Sequence, residues 1–220
     1  MQSTHQSNPL PRKSFSFPPL HTASEEGLLA IGGDLDPERI LHAYRNGIFP
    51  WYSEGSPILW WSPDPRCVLF PEHLVVSKSM KTMLRKHTLE FSVNHAFDMV
   101  INQCRSITRR NQDGTWITDE IVDAYSKLHK MGVAHSAEAW KDGTLVGGLY
   151  GLRIGSVFFG ESMFSTVCNA SKFAFIHYVH LIKNEGVRLI DCQTETEHLK
   201  SLGAECIERE RFIAMLKEWC

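Results

Sequence analysis

The stretch HSAEAW-KDG-TLVGGLYGL-RIG-SVFFGESMF, His135 to Phe164, decides the fold. Three apolar runs are separated by two glycine turns, at Lys141–Gly143 and Arg153–Gly155, which is the spacing of a three-stranded meander. NASKFAFIHYVHLIKNEG, Asn169 to Gly186, follows and reads as a helix capped by Asn169 and stopped by Gly186. VRLIDCQ, ending at Gln193, reads as a buried strand. TEHLKSLG predicts a short helix, AECIER a strand and ERFIAMLKEW a last helix. Antiparallel strands, a helix, a strand, then a helix and strand give an α+β or α/β sheet flanked by helices.

Upstream, Asp119 to Lys130 reads as a helix capped by Thr118, and Ser79 to Lys86 as another. Lys78, Lys81 and Arg85 are three and four apart and share a helical face. Pro37 to Arg45 predicts a short helix, with Asp36 as cap and Gly47 as stop. The Gly-, Pro- and Trp-dense sequence around it, residues 17–65, reads as a small N-terminal domain ending near Asp64-Pro65. Residues 66–220 form the larger domain. Residues 1–16 are polar and proline-rich and are expected to be flexible.

Composition excludes several classes. The 220 residues are 43% hydrophobic and 22% charged, as in a soluble globular protein. No apolar run reaches the roughly 18 residues that would span a membrane, and no signal peptide is evident. Six cysteines are spread irregularly without a C-x-x-C pair, which argues against a zinc site or disulfide framework and fits a reducing cytoplasm. His177 and His180 lack the glutamate of H-E-x-x-H, so no metal is expected. The net charge of −2 does not suggest nucleic-acid binding, yet residues 73–112 hold seven Lys or Arg against two acidic residues, a basic patch on an acidic protein.

Four places carry candidate chemistry. Trp51, Tyr52, Trp60 and Trp61 lie in loop-like sequence, either packed or as a stacking platform for a base. Trp116, after a glycine turn and before a helix cap, either staples the helix or lines a cleft. Glu161 is a carboxylate among Phe158, Phe159, Met163 and Phe164, either a salt-bridge partner or an ion placed to act. Asp191 and Gln193 alternate at the carboxyl end of a buried strand, where such sheets collect ligands, and alternation points them to one face. Acetyl-CoA transferases place a glycine-rich pyrophosphate loop at the junction that here reads ESMFSTVCNASK. With no glycine between Gly160 and Gly186, a CoA site is not expected.

Taken in order, GLLAIGGDL, GIFPWYSEG, ILWWSPDPR, GTWITDE, AHSAEAW, LVGGLYG, FFGESMFS, NASK and LIDCQ resemble the bacterial leucyl/phenylalanyl-tRNA–protein transferases, from about Phe17 to Trp219. The resemblance implies an α+β chain with a small N-terminal domain and an acetyltransferase-like (GNAT-like) C-terminal domain. It implies a cytoplasmic aminoacyltransferase that moves Leu or Phe, and less well Met, from aminoacyl-tRNA to the N-terminal Arg or Lys of proteins, marking them for N-end-rule degradation. No cofactor, metal or membrane is implied. Trp51 and Trp116 would contact the terminal adenosine. Leu149, Phe158, Met163, Phe175, Tyr178 and Ile190 would line the side-chain pocket. Glu161 would hold the donor's amino group or sugar. Asp191 with Gln193 would orient the acceptor amine and relay its proton. Lys78, Lys81, Arg85, Arg109 and Arg110 would meet the tRNA backbone. Two alternatives are a FemX-like ligase acting on a peptidoglycan precursor and a non-catalytic tRNA-binding protein, which would not need Glu161, Asp191 and Gln193.

Overall fold

The structure is a computed structural model that describes residues 9–10, 15–86, 88–107 and 115–220. A first sheet has the order β1-β2-β4-β3, from β1 (Pro9–Leu10), β2 (Leu28–Gly32), β3 (Phe49–Pro50) and β4 (Leu59–Trp61). β1, from the segment expected to be flexible, runs parallel to β2. Helix α1 (Pro37–Arg45) sits between β2 and β3, with Asp36 accepting from the Glu38 amide and Pro37 at its first position, as its sequence dictates. Trp60 and Trp61 are on strand β4 rather than in a loop, because both pair with β2 on one side and β3 on the other.

The second sheet is mixed. It comprises β5 (Arg66–Leu69), β6 (Glu90–Val93), β7 (Ala134–Lys141), β8 (Thr144–Ile154), β9 (Val157–Ser165), β10 (Leu189–Gln193) and β11 (Glu205–Ile207), in the order β11-β5-β10-β9-β8-β7-β6. β7, β8 and β9 are the meander, joined by turns at Gly143 and Gly155. Helix α5 (Ala170–Asn184) crosses from β9 to β10, and this pair is parallel, as a strand–helix–strand crossover requires. That order agrees with the acetyltransferase-like expectation.

Helices cover both faces. α2 (Lys78–Arg85) and α5 lie on one. α3 (Phe97–Ser106), α4 (Asp119–Lys130), α1 and α7 (Arg209–Trp219) lie on the other, and α6 (Glu197–Lys200) follows β10. α5 packs close against β8 because Gly147 has no side chain: a Cβ there would stand 2.6 Å from that of Ala170. Asn169 does stand before α5, but in the left-handed region (φ 65°) and without a capping bond. Ser165 Oγ instead accepts the Ser171 amide. One core joins both sheets, with Ile40, Tyr44 and Trp60 packed in the same cluster as Phe159, Leu152 and Phe212.

Candidate active site

The parallel register of β9 and β10 is short. Val157, Phe158 and Phe159 face Leu189, Ile190 and Asp191, and the pairing stops there. Just beyond, each strand carries a β-bulge. On β9, Gly160 and Ser162 face the consecutive residues Gly151 and Tyr150, leaving Glu161 as the extra residue. On β10, Asp191 and Gln193 face Val68 and Cys67, leaving Cys192 extra. Bulges bend a strand and re-aim its side chains. Between these strand ends opens a cavity of about 830 Å³, within the size range of small-molecule sites.

Glu161 lies on the cavity wall. Its Oε1 accepts from Tyr44 Oη at 2.6 Å and from Gln193 Nε2 at 3.3 Å, and its Oε2 from Tyr125 Oη at 3.2 Å. The two tyrosine hydroxyls are themselves 2.6 Å apart. Burial, with the nearby negative charge of Asp191, pushes the Glu161 carboxyl up to about 7 against the lowering effect of these three donors. Burial and the Glu161 charge also raise both tyrosines, which therefore keep their protons.

Asp191 is fully buried and differently engaged. Its Oδ1 accepts Arg66 Nε at 2.8 Å and the Gln193 amide at 2.9 Å, and its Oδ2 accepts Arg66 Nη2 at 2.6 Å. Such a fork is the strong, planar form of the ion pair. Arg66 also donates to Gly47 O and lies over the rings of Phe49 and Phe212. Simple alternation does not place Asp191 and Gln193: the bulge at Cys192 and the positive φ of Gln193 (62°) turn the glutamine amide to Glu161 while Asp191 faces Arg66.

Leu149, Phe158, Met163, Phe175 and Ile190 all line the cavity. Tyr178 does not. It is buried behind the wall, edge-on to Phe158 with ring centres 5.0 Å apart. Trp51 and Trp116 line the cavity, with Trp51 45% exposed. Trp61 lines it too, donating to Trp51 O and packing edge-on against the Trp51 ring. Trp60 is a core residue bonded to Gly32 O, and Tyr52 is buried against Thr118 and Glu120, so neither offers a stacking face. Lys78, Lys81 and Arg85 are exposed on α2, whereas Arg105 pairs with Asp119. Arg109 and Arg110 lie outside the described residues.

Sequence reasoning missed Arg66, Tyr44 and Tyr125. Arg66 carried a signal: a charge leading the apolar run RCVLF demands a buried partner. Tyr44 and Tyr125 sit on the apolar stripes of α1 and α4 and read as core; only the assembled fold brings their hydroxyls to Glu161. Among the described residues no group of His, Cys, Asp and Glu has the geometry of a metal site, and no helix is long and apolar enough to cross a membrane.

The chain matches the family described as leucyl/phenylalanyl-tRNA protein transferase over residues 68–217, and that family's N-terminal domain over residues 33–64. The leucyl/phenylalanyl-tRNA–protein transferase of Flavobacterium johnsoniae is 55% identical over 205 residues, 93% of this chain and 97% of the relative. That of Nitrosospira multiformis is 56% identical over 204 residues, 92% of this chain and 88% of the relative. A GCN5-related N-acetyltransferase from Kribbella flavida superposes with a TM-score of 0.39 at 10% identity, over 76% of this chain and 59% of that one.

Proposed function

The chain belongs to the leucyl/phenylalanyl-tRNA–protein transferase family, and on that premise we propose that it moves Leu or Phe, and less well Met, from aminoacyl-tRNA to the N-terminal Arg or Lys of a protein. The product is then a substrate for N-end-rule degradation in the cytoplasm. The observation that carries the site assignment is Glu161, the extra residue of a bulge, held by two tyrosines and a glutamine on the wall of a largely apolar cavity.

The donor is an activated ester, so no further activation is needed. The acceptor α-amine has an ordinary pKa of about 7.7–8 and must lose a proton as it attacks. A carboxylate raised to about 7 is matched to that task. In this reading Glu161 takes the proton, and Gln193 Nε2, 3.3 Å away, fixes the carboxylate and the amine in attacking geometry. Asp191 is not the proton acceptor, because Arg66 and the Gln193 amide occupy its oxygens; it positions Gln193. Leu149, Phe158, Met163, Phe175 and Ile190 accept the donor side chain, while Trp51 and Trp116 flank the terminal adenosine. Lys78, Lys81 and Arg85 of α2 meet the acceptor-stem phosphates.

The test is a transfer assay. Purified protein receives Leu-, Phe- or Met-tRNA with peptides beginning Arg, Lys, Asp or Glu. Leu and Phe transfer to Arg- and Lys-peptides is expected. Transfer to a muropeptide instead, or no transfer at all, overturns the reading.

A further inference from the structure

We infer that Cys67, Cys192 and Cys206 form an oxidative modification site in which a Cys67–Cys192 disulfide reversibly displaces the strand end that aims Gln193 at Glu161. The inference rests on the proposed function only for its readout of activity.

The three thiols come from three neighbouring strands, β11, β5 and β10. Cys206 is the direct cross-strand partner of Cys67, and Cys192 is the bulged residue beside the Cys67–Gln193 pair. In a bulge two consecutive residues oppose a single partner residue, so Cys192 and Gln193 together stand across from Cys67 on β5. Residues opposed across antiparallel strands lie within about the 4.4–6.8 Å between Cα atoms that a disulfide spans. Cys67 is buried, Cys192 lines the cavity and Cys206 is exposed. Cys192 and then Cys206 pull the Cys67 thiol below its ordinary range despite burial, which makes Cys67 the better nucleophile of the set. The hydrogen bond with the Cys67 thiol, and then burial, hold Cys192 up.

The chemistry balances with a peroxide as oxidant. Peroxide reaching the cavity meets Cys192, the thiol that lines it, rather than the buried Cys67: the Cys192 sulfur attacks as its proton passes to the departing oxygen, the O–O bond breaks, water leaves and a sulfenic acid forms. The Cys67 sulfur then attacks that sulfur as its own proton is lost. The S–S bond forms and the S–O bond breaks, and the oxygen leaves as a second water after taking up a proton. Two thiols are oxidised by two electrons and one peroxide is reduced. Cys192 stands between Asp191 and Gln193, so drawing it toward β5 shifts the strand end that aims Gln193 at Glu161. A thiol reductant restores the site.

The experiment treats the full chain with hydrogen peroxide, blocks free thiols by alkylation, and maps linkages by mass spectrometry beside transferase assays. Reduced protein that transfers Leu establishes the readout. The inference expects a Cys67–Cys192 cross-linked peptide and at least a tenfold loss of transfer, both reversed by dithiothreitol. Cys67→Ala should transfer like the reduced wild type and resist peroxide, with Cys168→Ser as the exposed-thiol control. Linkage of Cys67 to Cys206 alone, or equal inactivation of Cys67→Ala, overturns it. Should reduced protein not transfer Leu, the functional reading fails while the mapped cross-link still decides the disulfide.

Discussion

At the scale of single residues, two buried acids with different partners have different fates. Asp191 is held in a fork by Arg66, so truncating either partner strands a buried charge and costs about 3–5 kcal/mol. Asp191→Ala and Arg66→Met should each lower the denaturant midpoint strongly, and the double variant should lose much less than the sum. A chemical-denaturation double-mutant cycle with no coupling would show that the fork contributes nothing. Glu161 has the opposite signature. Its folded pKa, about 7, lies above the ordinary carboxyl value, so the native state holds the proton more tightly than the unfolded chain. That contribution is complete below the ordinary carboxyl range and is lost as pH rises through 7. Glu161→Gln removes the loss. Relative to wild type its stability should therefore improve between pH 5 and pH 8, by about 1–2 kcal/mol after discounting for solvent screening, read as a rising difference in melting temperature. The same variant should slow transfer by about 10²–10⁴-fold, and wild-type kcat/KM should rise through pH 7. A flat difference in melting temperature would mean that the carboxyl titrates in its ordinary range.

At the scale of elements, the bulge of β10 and the helix α2 each make a separate prediction. Gln193 sits at φ 62°, which glycine tolerates and a β-branched residue does not. Gln193→Gly should keep thermal stability while transfer falls. Gln193→Val should lose about 1–3 kcal/mol as well. Equal melting temperatures for the two would remove backbone strain from the account. On α2, Lys78→Ala with Lys81→Ala should flatten the log–log salt dependence of tRNA binding by a little under about one unit per lost phosphate contact. Use of a small aminoacyl-adenosine donor should not change. The elements were legible because local signals set them: Asp36 and Thr118 do cap their helices, and Gly143 and Gly155 turn the meander. β5, β6 and α3 were not read, since Arg66–Leu69 and Glu90–Val93 are too short to show periodicity and α3 has no side-chain cap. The bulges were invisible for a deeper reason: a two-residue alternation carries no mark of where a partner strand falls out of step. Glu161 and Gln193 were singled out as residue types, but the partners that hold them were not.

At the scale of the whole molecule, the two sheets share one core and one site. Tyr44 and Gly47, from the segment around the first sheet, bond Glu161 and Arg66 of the second. Unfolding should therefore be a single calorimetric transition, with van't Hoff and calorimetric enthalpies in agreement. Two resolved transitions would mean that the shared core does not couple the sheets. The bulge on β9 also has a genetic consequence. Loss of one codon, that of Glu161, would leave Gly160 and Ser162 opposite Gly151 and Tyr150 with nothing between them. The hairpin would become more regular, and Tyr44 and Tyr125 would keep each other as hydrogen-bond partners. Such an in-frame deletion should express well, melt no lower than its parent and transfer nothing. A lineage released from any need for the reaction could shed it in one mutational step while keeping a sound fold, so the irregular residue persists only while selection holds it there.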